Sequence, residues 1–382
     1  MLLPSLRGDG AVGMMLALAD GLSKRGHVID LLTVRADGER AKSLQANVRL
    51  VNLDAPRPLR AVPAIARYLR HARPNILMAS EHYSGLPALY ALRLARMNTR
   101  CVIRQDNTWG MDSLRFKGRH RLLTPWMVSR LFRHAEIVAV SRGVAADFIT
   151  HFPHLRKNVN VIYNPVLSER LIARSQEPLS HPWFMPGDLP VLVAAGRLQP
   201  AKGFDILIDA FARAIKVTPA RLLILGEGPD RAALQQRIVA NNLIGACELA
   251  GYQNNPYPYM AKSHAFVLSS RFEGLPTVLI EALAVGTPVI ATDCCSGPQE
   301  ILADGTFGTL VPVGDVDALA DAIIAQILTP AAPQAGLAEW LHQFDANASV
   351  DKHASLIEAA LTAPPPQSRS GPLCLDNSSG HD

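Results

Sequence analysis

Two carboxylates, Glu273 and Glu281, stand with seven residues between them in Ser270-Arg271-Phe272-Glu273-Gly274-Leu275-Pro276-Thr277-Val278-Leu279-Ile280-Glu281. A Gly-Leu-Pro turn follows the first. The second lies in an apolar run, 278–284, that predicts a helix. Pro276 has a fixed φ and no amide, which suits the first helical position. The amides around Gly274, Leu275 and Thr277 then point beyond the helix N-terminus, where the peptide dipoles attract an anion such as a diphosphate. Glu273, in the turn, is placed to hydrogen-bond sugar hydroxyls, and Glu281 to take a vicinal diol such as a ribose. Such a set of groups suits a nucleotide sugar. A bare glutamate pair at this spacing is otherwise a solvated helix face, and the strand before it and helix after it weigh against that.

These groups need strands and turns to hold them. Residues 13–23 carry apolar side chains at helical spacing, and the turn at Gly26-His27 leads into a strand over 28–34. Strands are predicted over 75–80, 100–104 and 136–141, with 158–166 closing a first domain and helices over 61–71, 87–96 and 123–134. The pattern restarts with strands over 191–197, 221–226, 265–270 and 288–292, and with helices over 231–240 and 317–328. This alternation predicts an α/β protein of two Rossmann-like, doubly wound domains facing across a cleft. The expected divisions are 1–166, a proline-rich linker 167–188, a second domain 189–335, helices over 336–362 and a disordered tail 363–382. Ligands sit at strand ends in such folds, which marks His82 and Ser141 on the acceptor side.

Composition sets limits. A chain of 382 residues with 48% hydrophobic and 19% charged residues suits two globular domains. No run of about 18 uncharged apolar residues predicts a membrane span. The opening Met1-Leu2-Leu3-Pro4-Ser5-Leu6-Arg7 does not read as a signal peptide. Five cysteines, odd in number and without ligand spacing, fit a reducing cytoplasm. Residues 1–165 hold 25 Lys and Arg against 11 Asp and Glu, whereas 166–382 hold 13 against 22. The basic first half implies either an anionic partner, such as a lipid diphosphate or the inner membrane face, or a solvated basic surface. Nucleic acid is disfavoured, since no binding motif accompanies the charge.

The 270–283 block resembles the E-x7-E signature of family 4 glycosyltransferases, retaining enzymes of the GT-B fold. The likeness continues through Gly286-Thr287-Pro288-Val289-Ile290-Ala291-Thr292-Asp293, Ser296-Gly297-Pro298-Gln299-Glu300-Ile301 and Gly308-Thr309-Leu310-Val311-Pro312. Gly196-Arg197-Leu198-Gln199-Pro200-Ala201-Lys202-Gly203 resembles the family's G-R-L-x-x-x-K-G element. A diphosphate leaves with extra negative charge, so a site without a metal must meet it with fixed cations and amides. Arg197 can fork onto phosphate oxygens and Lys202 adds a point charge. The resemblance implies catalytic roles for Arg197, Lys202 and Glu273. It also implies nucleotide contacts near Gly226 and Gly228, with Tyr252 beside the base. Gly10 would lie beneath the donor in the loop Arg7-Gly8-Asp9-Gly10-Ala11-Val12-Gly13, and residues 336–362 would cross back onto the first domain.

The chain departs from that family at three places. Val12 stands where Glu is common. Arg104-Gln105-Asp106-Asn107-Thr108 replaces an E-H-N-like segment, so Asp106, beside Asn107, either hydrogen-bonds sugar or acceptor hydroxyls or caps a turn. Met1-Leu2-Leu3 is a short first strand, and a start roughly five to ten residues upstream is expected.

The implied activity is hexosyl transfer from a nucleotide-diphosphate sugar, UDP favoured over GDP, to a hydroxyl of a glycan or polyprenyl-diphosphate-linked sugar in surface polysaccharide synthesis. The implied mechanism is a front-face displacement. The leaving diphosphate helps deprotonate the acceptor, domain closure gates turnover, and no metal or other cofactor is needed. Two alternatives remain: a nucleotide-sugar epimerase or hydrolase on the same architecture, and a catalytically degenerate nucleotide-sugar-binding partner subunit. The expected location is cytoplasmic, with possible peripheral contact at the inner face of the membrane.

Overall fold

The computed structural model describes residues 1–6, 10–35, 47–114, 116–118, 120–185, 187, 189–330 and 334–362. A first sheet holds β1 (Leu2–Leu3), β2 (Ile29–Thr33), β3 (Val48–Asn52), β4 (Ile76–Ser80), β5 (Arg100–Gln105), β6 (Ala135–Ala139) and β7 (Val159–Val161), in the order β3-β2-β1-β4-β5-β6-β7. A second holds β8 (Val191–Ala195), β9 (Arg221–Leu225), β10 (Cys247–Gly251), β11 (Ala265–Leu268), β12 (Val289–Thr292) and β13 (Thr309–Val311), in the order β10-β9-β8-β11-β12-β13. Every ladder is parallel. Strand order reverses between β1 and β4 and again between β8 and β11, which creates a crevice at the carboxyl ends of each pair.

Burial explains why these segments are strands. All five residues of β8 are buried, as are Leu222 to Leu225 of β9 and all of β11 and β12. A strand covered on both faces must be apolar throughout. The edge strands β3 and β10 alternate instead, with exposed Arg49 and Glu248, and carry a weaker signal. Between β4 and β5 the helix runs Glu81–Ala95, six residues longer at its start than the expected 87–96. Pro87 lies inside it on a buried stretch. Ser80 stays extended, with φ −92° and ψ 126°, so β4 passes straight into the helix.

The two sheets share an apolar core. Ala139, Val140, Val144, Tyr163 and Val166 of the first side pack in one cluster with Leu275, Leu279, Ile301 and Phe344. Within 167–188 lies a helix, Glu169–Ser175, started by Ser168, whose hydroxyl accepts from Leu171 N at 3.3 Å. The helix Ala346–Thr362 returns to the first sheet and lies against Gly10–Lys24. A Cβ on Gly21 would stand 2.4 Å from Val350, so glycine permits that approach. Arg25 Nε donates to Asp351 there at 2.5 Å.

Candidate active site

β11 ends at Leu268, and the chain crosses 269–276 to reach the helix Thr277–Ala284. Pro276 is the residue before that helix, not its first: its ψ of 93° is extended, and helical geometry starts only at Thr277. No side chain caps this end. Leu275 and Glu281 are buried, Glu281 in the body of the helix. Glu273 Oε1 accepts from Lys202 Nζ at 2.6 Å and from Ser270 Oγ at 2.6 Å. Lys202 and Glu273 lie at the carboxyl ends of β8 and β11, the pair that flanks the strand-order reversal.

A clamp holds those two loops in register. Arg271 N donates to Ala201 O at 2.8 Å, and its guanidinium donates to Pro200 O at 2.7 Å and to both Asp205 carboxylate oxygens at 2.8 and 2.7 Å. The Arg271 hydrogen bonds hold the Asp205 carboxyl below its ordinary range. Ser269 Oγ donates to Lys202 O at 2.9 Å. Gly203 has φ +61°, and a Cβ there would fall 2.0 Å from Ser269 O, so only glycine lets the loops close. The aliphatic stem of Lys202 passes about the Gly196 backbone, within 3.4 Å of where a Cβ would stand. Arg197 is exposed on the same loop.

Gly226 and Gly228 have a backbone reason of their own. A Cβ on Gly226 would lie 1.9 Å from Gly196 O, and one on Gly228 2.2 Å from Leu198 O. They let the end of β9 lie against the Arg197 loop, where Leu198 N donates to Glu227 O at 2.9 Å. Tyr252, just past β10, is 60% exposed. Gln253 is tied into the local turn, donating to Ala250 O at 2.9 Å and accepting from Tyr259 Oη at 3.3 Å.

The facing domain corrects two sequence expectations. The Asp106 carboxylate is engaged inside its own domain. It pairs with Arg104, which is buried beside it, and accepts from Ser80 Oγ at 3.0 Å. Arg104 also donates to Asn164 Oδ1 at 2.7 Å. A buried guanidinium requires such partners, and they consume the carboxylate. His82, expected at a strand end facing ligand, lies in the first turn of the helix Glu81–Ala95 instead, 2% exposed. Its ring packs against Tyr83, Trp109 and Phe116 at centroid distances of 3.9, 5.2 and 5.3 Å, with Asp112 Oδ2 3.9 Å from Nδ1. Asn107 donates to Glu81 Oε1 at 2.7 Å.

Backbone, not side chain, brings the Asp106 segment to the Glu273 loop. A Cβ on Gly274 would lie 1.9 Å from Asp106 O and 3.2 Å from Asn107 Cα. Ser141, fully buried, accepts from Val144 N at 3.0 Å as the N-cap of the helix Arg142–His151. Its hydroxyl lies 3.0 Å from Gly274 O and 2.8 Å from Ser296 Oγ, and Ser296 Oγ donates to Gly274 O at 2.8 Å. Gly10 opens the helix Gly10–Lys24 with nothing within 4 Å of where a Cβ would stand. Val12 is buried in that helix, and Arg7, Gly8 and Asp9 of the same loop lie outside the described residues. Sequence reasoning missed Arg271 and Ser270 within the glutamate motif, and Ser296 and Glu300 within the next one. Each stood in a quoted segment; Ser270 bonds Glu273 within its own loop, whereas the partners of Arg271, Ser296 and Glu300 lie on other segments.

The family model for Glycosyltransferase Family 4 matches residues 8–170, and that for Glycosyl transferases group 1 matches 189–328. The chain belongs to the family 4 glycosyltransferases. A curated relative of this chain is the N-acetylgalactosamine-N,N'-diacetylbacillosaminyl-diphospho-undecaprenol 4-alpha-N-acetylgalactosaminyltransferase of Campylobacter jejuni. The two are 32% identical over 234 residues, 60% of this chain and 62% of that protein. The lipopolysaccharide core biosynthesis glycosyltransferase LpsE of Rhizobium meliloti is 34% identical over 231 residues, 59% of this chain and 65% of that one. The matches thus span less than two thirds of either relative's length. HepE of Anabaena, solved in complex with UDP, superposes with a TM-score of 0.74 at 20% identity, covering 94% of this chain and 99% of that one. The likeness extends to the whole two-domain α/β architecture, the GT-B fold.

Proposed function

We propose that this glycosyltransferase moves a hexosyl group from a nucleotide-diphosphate sugar, with UDP as the favoured nucleotide, to a hydroxyl of a glycan or lipid-linked sugar. Surface polysaccharide synthesis is the favoured setting. One observation carries the reading: Lys202 and Glu273 meet at 2.6 Å across the β8 and β11 loops, beside an uncapped helix N-terminus. A cation and orphan amides together suit a departing diphosphate, and the carboxylate suits sugar hydroxyls. Donor binding would draw Lys202 from Glu273 to the phosphates and release Glu273 to the sugar. Arg197 would supply a second cation from the same loop.

Retention follows if acceptor and leaving group share one face, with the diphosphate taking the acceptor's proton. Asp106 is committed to Arg104 and His82 is packed among aromatic rings, so neither offers the acid–base pair an epimerase or hydrolase would need. The relatives support the donor and acceptor classes. HepE is solved with UDP, and the Campylobacter jejuni relative is named for a diphospho-undecaprenol acceptor. Metal independence is part of the proposal, so EDTA should leave turnover unchanged.

Peripheral membrane contact has support from one surface. Among the described residues no helix is long and apolar enough to cross a membrane. The helix His120–Leu131 buries Thr124, Val128 and Leu131 but exposes Leu122 by 80% and Trp126 by 61%. Exposed Lys117, Arg121, Arg130 and Arg133 surround that face, and the sequence has no Asp or Glu from 113 to 135. Apolar side chains ringed by cations suit an anionic lipid surface. Trp126→Glu should abolish sedimentation with phosphatidylglycerol vesicles, and failure of the wild type to sediment would end this part of the proposal.

The deciding experiment is thermal stabilisation by UDP, GDP, ADP and TDP and their sugars without metal, because a ligand of the folded state alone must raise apparent stability. A shift with one base, lost in Lys202→Ala, is expected. Released nucleotide is then assayed with lipid-linked and free sugar acceptors, where Lys202→Ala should lose roughly 100- to 1,000-fold in turnover. Well-folded protein that no nucleotide stabilises would refute the reading and favour a degenerate partner subunit.

A further inference from the structure

Glu300 belongs to the second domain, in the short helix Pro298–Ile301 beyond β12, yet its carboxylate is spent on the first. Its two oxygens accept from Arg142 N at 3.0 Å each, and Oε2 also lies 3.4 Å from Gly143 N. Oε1 accepts in addition from Tyr163 Oη at 2.5 Å. Arg142 and Gly143 open the ten-residue helix Arg142–His151, so these amides have no partner within their own helix. A carboxylate there satisfies them and complements the helix dipole. The Glu300 side chain is 13% exposed, which strengthens these charge-assisted bonds. The Arg142 guanidinium, 3.8 Å away and 75% exposed, adds little. Burial, and then the bond to Glu300, push the Tyr163 phenol well above its ordinary range, so it remains a donor at working pH.

The location gives the contact its meaning. Tyr163 lies two residues past β7, where the chain leaves for the second domain, and its ring packs on Phe344 at 5.0 Å. The brace therefore sits on the hinge side of the cleft. The helix it grips is started by Ser141, whose hydroxyl reaches Gly274 O at 3.0 Å, one residue from Glu273. Gly143 fits against Ser296 with no room for a side chain: a Cβ would fall 2.6 Å from Ser296 Oγ and 3.0 Å from its Cα. Seating that helix on the Ser296–Glu300 segment thus also sets where the Asp106 backbone meets the donor loop.

We propose that Glu300 is a positioning residue for sugar transfer: by holding the helix N-terminus and Tyr163 of the opposite domain, it sets the angle at which the acceptor side meets the Glu273 loop. The inference rests on the transfer activity proposed above, but one arm of its test needs no turnover. Glu300→Ala, Glu300→Gln and Tyr163→Phe are compared with wild type in the full chain. UDP affinity should stay within about twofold, since, Gly10 apart, the expected nucleotide contacts lie in the second domain. The kcat should fall roughly tenfold or more in Glu300→Ala and less in Tyr163→Phe, the factor that charge-assisted bonds of this kind are worth. Amide exchange should rise in 104–108 and 270–277, since the Glu300 carboxylate bonds instead to Arg142, Gly143 and Tyr163. Exchange changes confined to 142–144 with normal kcat would reduce Glu300 to a local helix cap and overturn the proposal. A loss of UDP affinity matching the loss of kcat would overturn it too, by placing the defect in the donor site. If Glu300→Ala does not fold, Tyr163→Phe decides on the same readouts. A wild type that transfers no sugar would sink the proposed function, while the exchange arm would still judge the brace.

Discussion

Replacing Gly274 by alanine asks for space that the opposite domain occupies. The added Cβ would lie 1.9 Å from Asp106 O, 2.9 Å from its carbonyl carbon and 3.2 Å from Asn107 Cα. Non-bonded carbon contacts are comfortable near about 3.5 Å, so the Asp106 carbonyl must retreat by more than ~1 Å. Both sides of the clash are backbone, so no rotamer relieves it. The loop cannot turn aside cheaply either, because Ser141 and Ser296 hold Gly274 O at 3.0 and 2.8 Å. Overpacking of this kind costs roughly 1–3 kcal/mol, or about 5- to 150-fold in the population of the closed arrangement. A misplacement of about 1 Å at a reacting centre costs about 100-fold in rate. The expected result for Gly274→Ala is therefore a kcat lower by roughly 10- to 100-fold at saturating donor. UDP affinity should fall less than kcat, and the melting temperature should drop by about a few degrees. A variant whose kcat stays within about threefold of wild type would refute the reasoning, for the domains would then not meet at Asp106 and Gly274 during turnover.

Other predictions concern the clamp and the returning helix. Arg271→Ala unties the Lys202 and Glu273 loops. With both partners about a third exposed, it should cost only about 1 kcal/mol of stability while lowering turnover more than tenfold, and Arg271→Lys should recover little because the fork is lost. Since Arg271 depresses the Asp205 pKa, that contribution is complete above the unfolded value near about 3.9 and fades as pH falls through the lower folded value. Urea titrations should accordingly show Asp205→Asn and wild type converging below about pH 4, and a gap that persists there would contradict the assignment. His353 is buried in the helix Ala346–Thr362, and burial pushes its pKa down to about 4. The unfolded chain takes up this proton first, so stability should fall by roughly 3 kcal/mol between pH 6.5 and 4. His353→Gln should flatten that part of the pH profile, and parallel profiles would show that another group governs it.

Much of the fold was legible because central parallel strands must be apolar on both faces. Residues 191–195, 221–225, 265–268 and 289–292 announced themselves by that rule. Residues 48–52 and 247–251 did not, since edge strands alternate with polar residues such as Arg49 and Glu248. Pro87 misled in a different way. A proline suggests a helix start, but Ser80 leads directly into a buried helix that tolerates Pro87 in its interior. Lys202 and Glu273 could each be picked out from their own motifs, although their direct pairing across 71 residues of chain could not. His82 and Asp106 show the limit from the other side. Each follows a strand, where ligands tend to sit, and each turns inward toward groups that no local pattern reveals.

Sequence alone sufficed for the two parallel sheets, the place of the Glu273 loop and the residue types at its turn. Those depend on periodicity, turn chemistry and helix ends, which are properties of near neighbours in the chain. Tertiary structure alone decided that Arg271 clamps Asp205, that Arg104 claims Asp106, and that Glu300 reaches Arg142 across 158 residues. Such pairings depend on how rigid elements stack and at what angle two domains meet. Apolar burial sets that geometry over the whole molecule, and no short stretch of sequence carries it.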